Sequence, residues 1–391
     1  MAYILSPFSP EGFLLLVVVF VFQLHSNGYF PTYEMLCLGR LTAGPPVAWP
    51  THTAHGACAI RHESIGACAH AAVDSTGVVY MACGSLVERR SFYPPLLRYK
   101  YSAVKDTIDA AIYVWDPSTD DVTRLELRGD AAAIPDLVVN GFDVVPDPAD
   151  DSVRVLFLGN HQDRHGSVTV FRHAVGSGVL DFVGDLSEPL VHTTHALAAT
   201  SATSFYVSND HFYRSGFGRF VEDQLGPMPW SSVAHCQLTS VGGLNVTCET
   251  KAIGLAHAAG LALVDGQLLV ADSKLGHVAI YDVEPSSHNL TLARTVPLGM
   301  SVQGMADVGT TGDVLVAAVP TLDTLGPGAL DGDDPAEFGA AFVLSATDGF
   351  QTPHQIFADA VAGANTGYVA LSPETLVGFS FARNGIQVCQ I

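Results

Sequence analysis

The sequence predicts an all-β fold, a six-bladed β-propeller closed by its N- and C-terminal strands. Three observations predict it. Past residue 60 no long stretch carries helical periodicity. One unit recurs six times: a short apolar strand, a turn rich in Asp, Gly, Ser or Thr, and a second apolar strand. The copies start roughly 45 to 70 residues apart, the spacing of four-stranded propeller blades. A β-sandwich would not need six similar inner hairpins.

The elements follow in chain order. Residues 1–25 read as a signal peptide or hydrophobic anchor. The apolar run Phe13 to Phe22 is too short to span a bilayer comfortably and matches the core of a secretory signal, although no Lys or Arg precedes it. Residues 26–53 form an N-terminal extension and residues 54–391 the propeller. Its inner hairpins are "AHAAVDSTGVVYMACG", "GFDVVPDPADDSVRVLFLGN", "ALAATSATSFYVSND", "GLALVDGQLLVADS", "MADVGTTGDVLVAAVP" and "GYVALSPETLVGFSF". Outer strands lie between them in "AAIYVWDPSTDDVTRLEL", "GSVTVFRHAVG" and "HVAIYDVEPSSHNLTLARTV". A propeller must close its ring or leave an edge unpaired. Here "NGIQVCQI" at the C-terminus is expected to be joined by a strand around "HGACAIRH", where a Cys58–Cys389 disulfide would staple the ends.

Composition narrows the class. Of 391 residues 48% are apolar and only 15% charged, which fits a large core with many turns and excludes disorder. The net charge of −21 opposes binding to nucleic acid or anionic lipid. No stable membrane span is expected after processing, and the oligomeric state is not legible. Asn245-Val246-Thr247 and Asn289-Leu290-Thr291 are glycosylation sequons. Seven cysteines without CxxC spacing argue against a zinc ribbon. Cys236 and Cys248 flank a Gly-Gly turn, so they either bridge across a hairpin or stay buried and free. The pairing of Cys37, Cys68 and Cys83 is left open. These features point to the secretory pathway or the extracellular space.

The segments "LFLGNHQDRHGSVTVFRH", "SFYVSNDHFY" followed by "LGPMPWSSV", "ADSKLGHVAIYDV" and the terminal "VCQI" resemble the paraoxonase/arylesterase family. The resemblance runs from about Glu63 to the C-terminus. It implies a six-bladed propeller with an N-to-C disulfide, and a calcium-dependent lactonase or arylesterase site at the channel mouth. Laid on the family's motifs, the calcium Glu falls on Glu63, but the neighbouring Asp falls on Ser64. An Asn-Asp pair falls on His195 and Ala196, another Asn on Ala259 before Gly260, and an Asp-Asn pair on Gln303 and Gly304. Of the family's His dyad one member falls on His161, the other on Asn140.

Calcium takes six to eight hard oxygen ligands, so this set predicts that calcium chemistry is lost. No metal and no cofactor are expected. Histidine with carboxylate would suit zinc or iron, but no HExxH or close His-x-His pair occurs. "LDGDDPAEF", with Asp331, Asp333 and Asp334, lacks calcium-loop spacing. The expected catalytic groups are Glu63, His195 and His257. Asn140, His161, Gln303 and Phe212 are expected to bind substrate, with Asn209, Asp210 and His211 buttressing them from behind. Arg214 and Arg219, among Phe212, Tyr213, Phe217 and Phe220, read as an aromatic loop that packs on the surface or covers an apolar ligand.

The expected partner is therefore a small apolar substrate. A signal segment, sequons and a stripped metal site also give the chain the outline of secreted fungal propellers of secondary metabolism. It resembles those that couple a tropolone quinone methide to a humulene-type terpenoid by hetero-Diels–Alder reaction. The leading expectation is a metal-independent cyclisation of that kind. A lactonase or arylesterase, and a non-catalytic ligand-binding propeller, are the alternatives.

Overall fold

Runs of β-branched and aromatic residues, cut by Gly- and Asp-rich turns, form strands wherever the hairpins predict them. The computed structural model describes residues 58–391 apart from 97, 131–132, 163–164, 225–226, 241–242, 321–338 and 360–365. The apolar run at 13–22, Cys37 and the acidic run at 331–334 lie outside the described residues.

Six sheets follow one another along the chain, each built on four antiparallel strands. Their inner strands are Ala67–Val73, Val139–Asp147, Thr194–Ser201, Ala258–Val264, Ser301–Asp307 and Gly367–Ser372. The second blade gains a parallel edge, Glu126–Arg128 against Val179–Leu186. In the sixth, Ile386–Gln390 is third and the N-terminal Cys58–Arg61 is the outermost strand, with Cys58 opposite Cys389. The ring closes as expected.

Burial grades outward. The second strands Val79–Gly84 and Val314–Val319 are buried throughout, whereas Cys58–Arg61 is exposed along its length. Facing blades interlock through apolar clusters. Leu269, Ile280, Val302, Val316 and Phe342 form one between the fourth and fifth blades. Each such side chain contributes about 1.5–3 kcal/mol on burial.

Three disulfides join directly opposed residues of neighbouring strands: Cys58–Cys389, Cys68–Cys83 and Cys236–Cys248. The hairpin pair at Cys236 is thus bridged rather than free. Disulfides in this number belong to an oxidising, secretory or extracellular setting. Among the described residues no helix is long and apolar enough to cross a membrane.

Strand direction alternates within a blade, so the starts of the inner strands and the ends of the second strands share one end of the ring, its mouth. The hairpins between third and fourth strands lie at the other end. Both sequon asparagines are exposed there, Asn245 in Gly243–Leu255 and Asn289 just before Leu290–Pro297. Glycans on them would leave the mouth clear.

Two short helices sit at the mouth, α1 (Leu86–Ser91) and α2 (Gly216–Gln224). The second corrects the reading of this segment as an aromatic loop. It inverts the usual burial: Phe217 and Phe220 stack on each other in solvent, 74% and 57% exposed, while the charged Arg219 is buried. Arg219 folds back onto Asp223 one turn later, which holds the turn together.

Candidate functional site

The mouth is built by a repeated irregularity. In the second blade Asn140 is bulged out of register between paired Val139 and Gly141. In the third, fourth and fifth blades two residues face one: His195-Ala196, Ala259-Gly260 and Gln303-Gly304. The first blade slips between Cys68 and His70. A bulge breaks the alternation of a strand and re-aims its side chains. In the first, second, third and fifth blades this brings a polar residue, His70, Asn140, His195 or Gln303, to the central pocket, whereas the fourth presents Gly260.

The small partner of each pair has its own reason. A Cβ on Gly141 would stand 2.3 Å from the His195 carbonyl oxygen, one on Gly260 2.7 Å from that of Gln303, and one on Gly304 2.6 Å from that of Thr366. Only glycine lets the next inner strand come so close. Gly141→Ala is expected to destabilise the fold by about 1–3 kcal/mol through this backbone collision and to displace His195. Urea denaturation of the variant checks it, and an unchanged midpoint would contradict it.

The central pocket is narrow, about 20 Å³ or room for about one water, and is lined by His70, Asn140, His195, Gln303, Thr366 and Phe381, among others. Of the expected site residues, Asn140, His195 and Gln303 meet there. His257 stands behind, its ring 5.8 Å from that of His195 and 4.9 Å from that of His211. His161 borders an adjoining groove with Tyr101, Ile134 and Val138. Two expectations are corrected. Glu63 lies in a one-turn 3-10 segment on the rim, exposed and outside the pocket lining, because its turn packs on Gly385 of the last blade. Phe212 is half-buried against His192 and Tyr213 and does not line the pocket either. His70 and Thr366 were missed. Thr366-Gly367 repeats the polar-small pairs Asn140-Gly141, His195-Ala196 and Gln303-Gly304, a signal visible in the sequence.

Asn209 is spent on structure. Its Oδ1 accepts from the backbone N–H groups of His192 and Thr193, and its Nδ2 donates to the Leu190 carbonyl. Asp210 and His211 belong to a buried charged chain. His211 Nδ1 lies 2.9 Å from Asp210, and Nε2 lies 2.9 Å from Asp223 on α2. Arg219 and Lys274 flank that second carboxylate. Burial pushes the Asp210 carboxyl up, but His211, His257 and Arg219 together hold it well below the ordinary carboxylate range. It is a fixed negative charge behind the imidazoles of His195 and His257.

Those imidazoles are held neutral. Burial lowers the pKa of His195 against the pull of Asp210, and burial with the charge of His211 drives His257 well below its usual value. Burial likewise brings His70 to about 4 and His161 to about 3. Neither ring nitrogen of His161, nor Nδ1 of His257, nor Nδ2 of Asn140 has a hydrogen-bond partner. Unpartnered buried donors and acceptors are costly; those of Asn140 and His161 border the pocket and the groove, where a ligand can satisfy them.

The titration has a sign. Below about pH 6.5 an unfolded histidine binds a proton that the folded one refuses, so stability falls with pH. For His161 the loss is expected to reach about 2 kcal/mol between pH 6.5 and 5, and to continue toward 3. Denaturation curves at pH 7 and pH 5 test this, and equal midpoints would refute it.

The residues do not fit calcium. No carboxylate lines the pocket; Asn140 Oδ1 accepts from the Tyr93 hydroxyl at 2.8 Å, and Gln303 Nε2 donates to Ser301 at 2.8 Å. Calcium needs six or more oxygens and compensating charge. The one cluster with transition-metal donors among the described residues is Asp210, His211 and His257. Both nitrogens of His211 already face carboxylates there, so the cluster closes on itself by hydrogen bonds.

A profile of the arylesterase family matches residues 100–345. Over 201 residues the chain is 25% identical to serum paraoxonase/arylesterase 1 of Mus musculus, covering 51% of this chain and 54% of the relative. To serum paraoxonase/arylesterase 2 of Rattus norvegicus it is 23% identical over 181 residues, 44% of this chain and 46% of the relative. These alignments span about half the length of either relative. Among solved structures, a luciferin-regenerating enzyme superposes with a TM-score of 0.51 at 11% identity, over 86% of this chain and 96% of that one. At that identity the likeness shows the fold alone.

Proposed function

The chain belongs to the arylesterase family, and on that premise we propose an enzyme that has exchanged the family's calcium for neutral imidazoles. One observation carries the reading: His195 and His257 stand together, held neutral, beside a fixed carboxylate and a pocket without metal ligands. A neutral imidazole accepts a proton and returns it, which suits general acid–base work on an uncharged substrate.

The substrate is a small apolar molecule oriented by Asn140, Gln303 and Thr366, and the reaction is a metal-independent cyclisation of hetero-Diels–Alder type. A hydroxylated polyketide of tropolone type would lose its ring hydroxyl proton to His195. The same proton would leave with the departing hydroxyl as water, generating the reactive diene. His257 and Asp210 stabilise the imidazolium formed in between. A humulene-type terpenoid would then add across the diene. The central pocket is too narrow for either partner, so both would have to be held above the mouth and in the groove of about 400 Å³ at His161, and near-attack geometry there would supply several kcal/mol of the barrier.

Family membership favours a second reading, hydrolysis of a lactone or aryl ester by water activated at His195. The test is a paired assay of the purified protein with and without chelator. Ring formation from a tropolone precursor and humulene-type partner, unaffected by chelator, is expected. Ester or lactone turnover without any cyclisation would favour the second reading, and turnover abolished by chelator would overturn both.

A further inference from the structure

The groove beside the central pocket differs from it in size and in chemistry. It holds about 400 Å³, within the range of small-molecule sites, and lies at the mouth end of the second blade, where the strand Asp150–His161 finishes. Tyr101, Ile134, Pro135 and Val138 give it apolar walls, with Asp136 exposed on its rim and His161 at its buried end. Backbone bonds fix one wall to the other. The His161 N–H donates to the Val138 carbonyl at 3.0 Å, and Asn160 Oδ1 accepts from the Val138 N–H at 2.7 Å.

The polar groups of the groove accept rather than donate. Neither ring nitrogen of His161 has a partner, and the ring is neutral, because burial and the nearby Arg214 guanidinium bring its pKa to about 3. A neutral imidazole keeps one lone pair for a donor. Asp136 takes the Tyr101 hydroxyl through one oxygen at 2.6 Å, and a carboxylate has lone pairs for more. The amide nitrogen of Gln162 is committed to Ser167 and Asp185, and Arg214 donates to the Gln162 carbonyl. No Lys or Arg lies among the described residues that line the groove. A ligand offering only acceptors, as an ester or lactone does, would leave His161 unanswered. Sites with buried polar groups discriminate strongly against ligands that leave those groups unpaired.

We propose that this groove recognises a small, neutral, hydroxylated aromatic molecule, its ring against Tyr101, Ile134 and Val138 and one hydroxyl donating to His161. Asp136 on the rim favours further hydroxyl donors and disfavours anions. The proposal rests on the reading of the mouth as the end that takes up substrate, and it assigns the hydroxylated reactant to this groove.

The experiment titrates catechol, and benzodioxole as the same ring with both oxygens tied off as ethers, into the full chain by calorimetry. Catechol is expected to bind saturably and at least about tenfold more tightly than benzodioxole, the effect of one hydrogen bond to a buried acceptor. His161→Phe keeps a ring and removes the acceptor. It is expected to weaken catechol by a similar factor and to leave benzodioxole unchanged. Equal affinities for the two molecules, catechol binding unaltered by His161→Phe, or no saturable binding would each overturn the proposal. If that variant does not fold, Asp136→Asn at its exposed position locates the ligand: catechol about threefold weaker supports the groove, and no change overturns it. The titrations need no turnover. Catechol preference without cyclisation would contradict the proposed reaction alone, and cyclisation without catechol preference would contradict the groove alone.

Discussion

Replacing His195 by alanine is expected to lower turnover by about 10²–10⁴-fold while leaving the fold intact, the range spanned by loss of a general acid–base group. The separation of function from stability follows from the bulge. Gly141 approaches the His195 backbone carbonyl, not the ring, so truncating the side chain leaves the contact between blades in place. The half-buried ring faces the pocket and His257. Steady-state rates with unchanged circular dichroism and urea midpoint check the prediction. A rate within about threefold of the parent would place the acid–base chemistry elsewhere. His257→Ala is expected to fall further than a neighbour's loss would suggest, because it also leaves Asp210 as a buried charge with one fewer partner.

The second large effect is on stability. Cys58→Ser opens a cross-link spanning 331 positions, whereas Cys236→Ser opens one spanning 12. In the chain-entropy account the first costs about 6 kcal/mol and the second about 3. A loss of that size is comparable with the whole stability of an ordinary domain. The four paired positions from Cys58 to Arg61 would then have to hold the ring shut alone, on an exposed edge. Denaturant midpoints of the two variants decide the matter. A Cys58→Ser midpoint equal to or above that of Cys236→Ser would contradict the account of ring closure.

The architecture was legible because every blade repeats the same hairpin, and the closing strand was legible because an open ring leaves an edge. The site was legible in part. Asn140, His195 and Gln303 fall on the bulges, where position in the repeat decides which residue faces the axis. Glu63 was misplaced because it precedes the first inner strand, where no repeat unit fixes its direction. Its turn packs outward on Gly385, and His70 takes the inward position instead. The charged chain through Asp223 and Arg219 could not be read from spacing, since it needs α2 to fold back on the Asn209-Asp210-His211 segment.

The central claim is that neutral imidazoles have replaced a metal at the mouth. Elemental mass spectrometry of the purified full chain, with no metal added, tests it most directly. The account predicts no metal in stoichiometric amount and activity indifferent to chelator. About one equivalent of calcium, or of zinc released by His257→Ala, would contradict it and make the cluster of Asp210, His211 and His257 a metal centre.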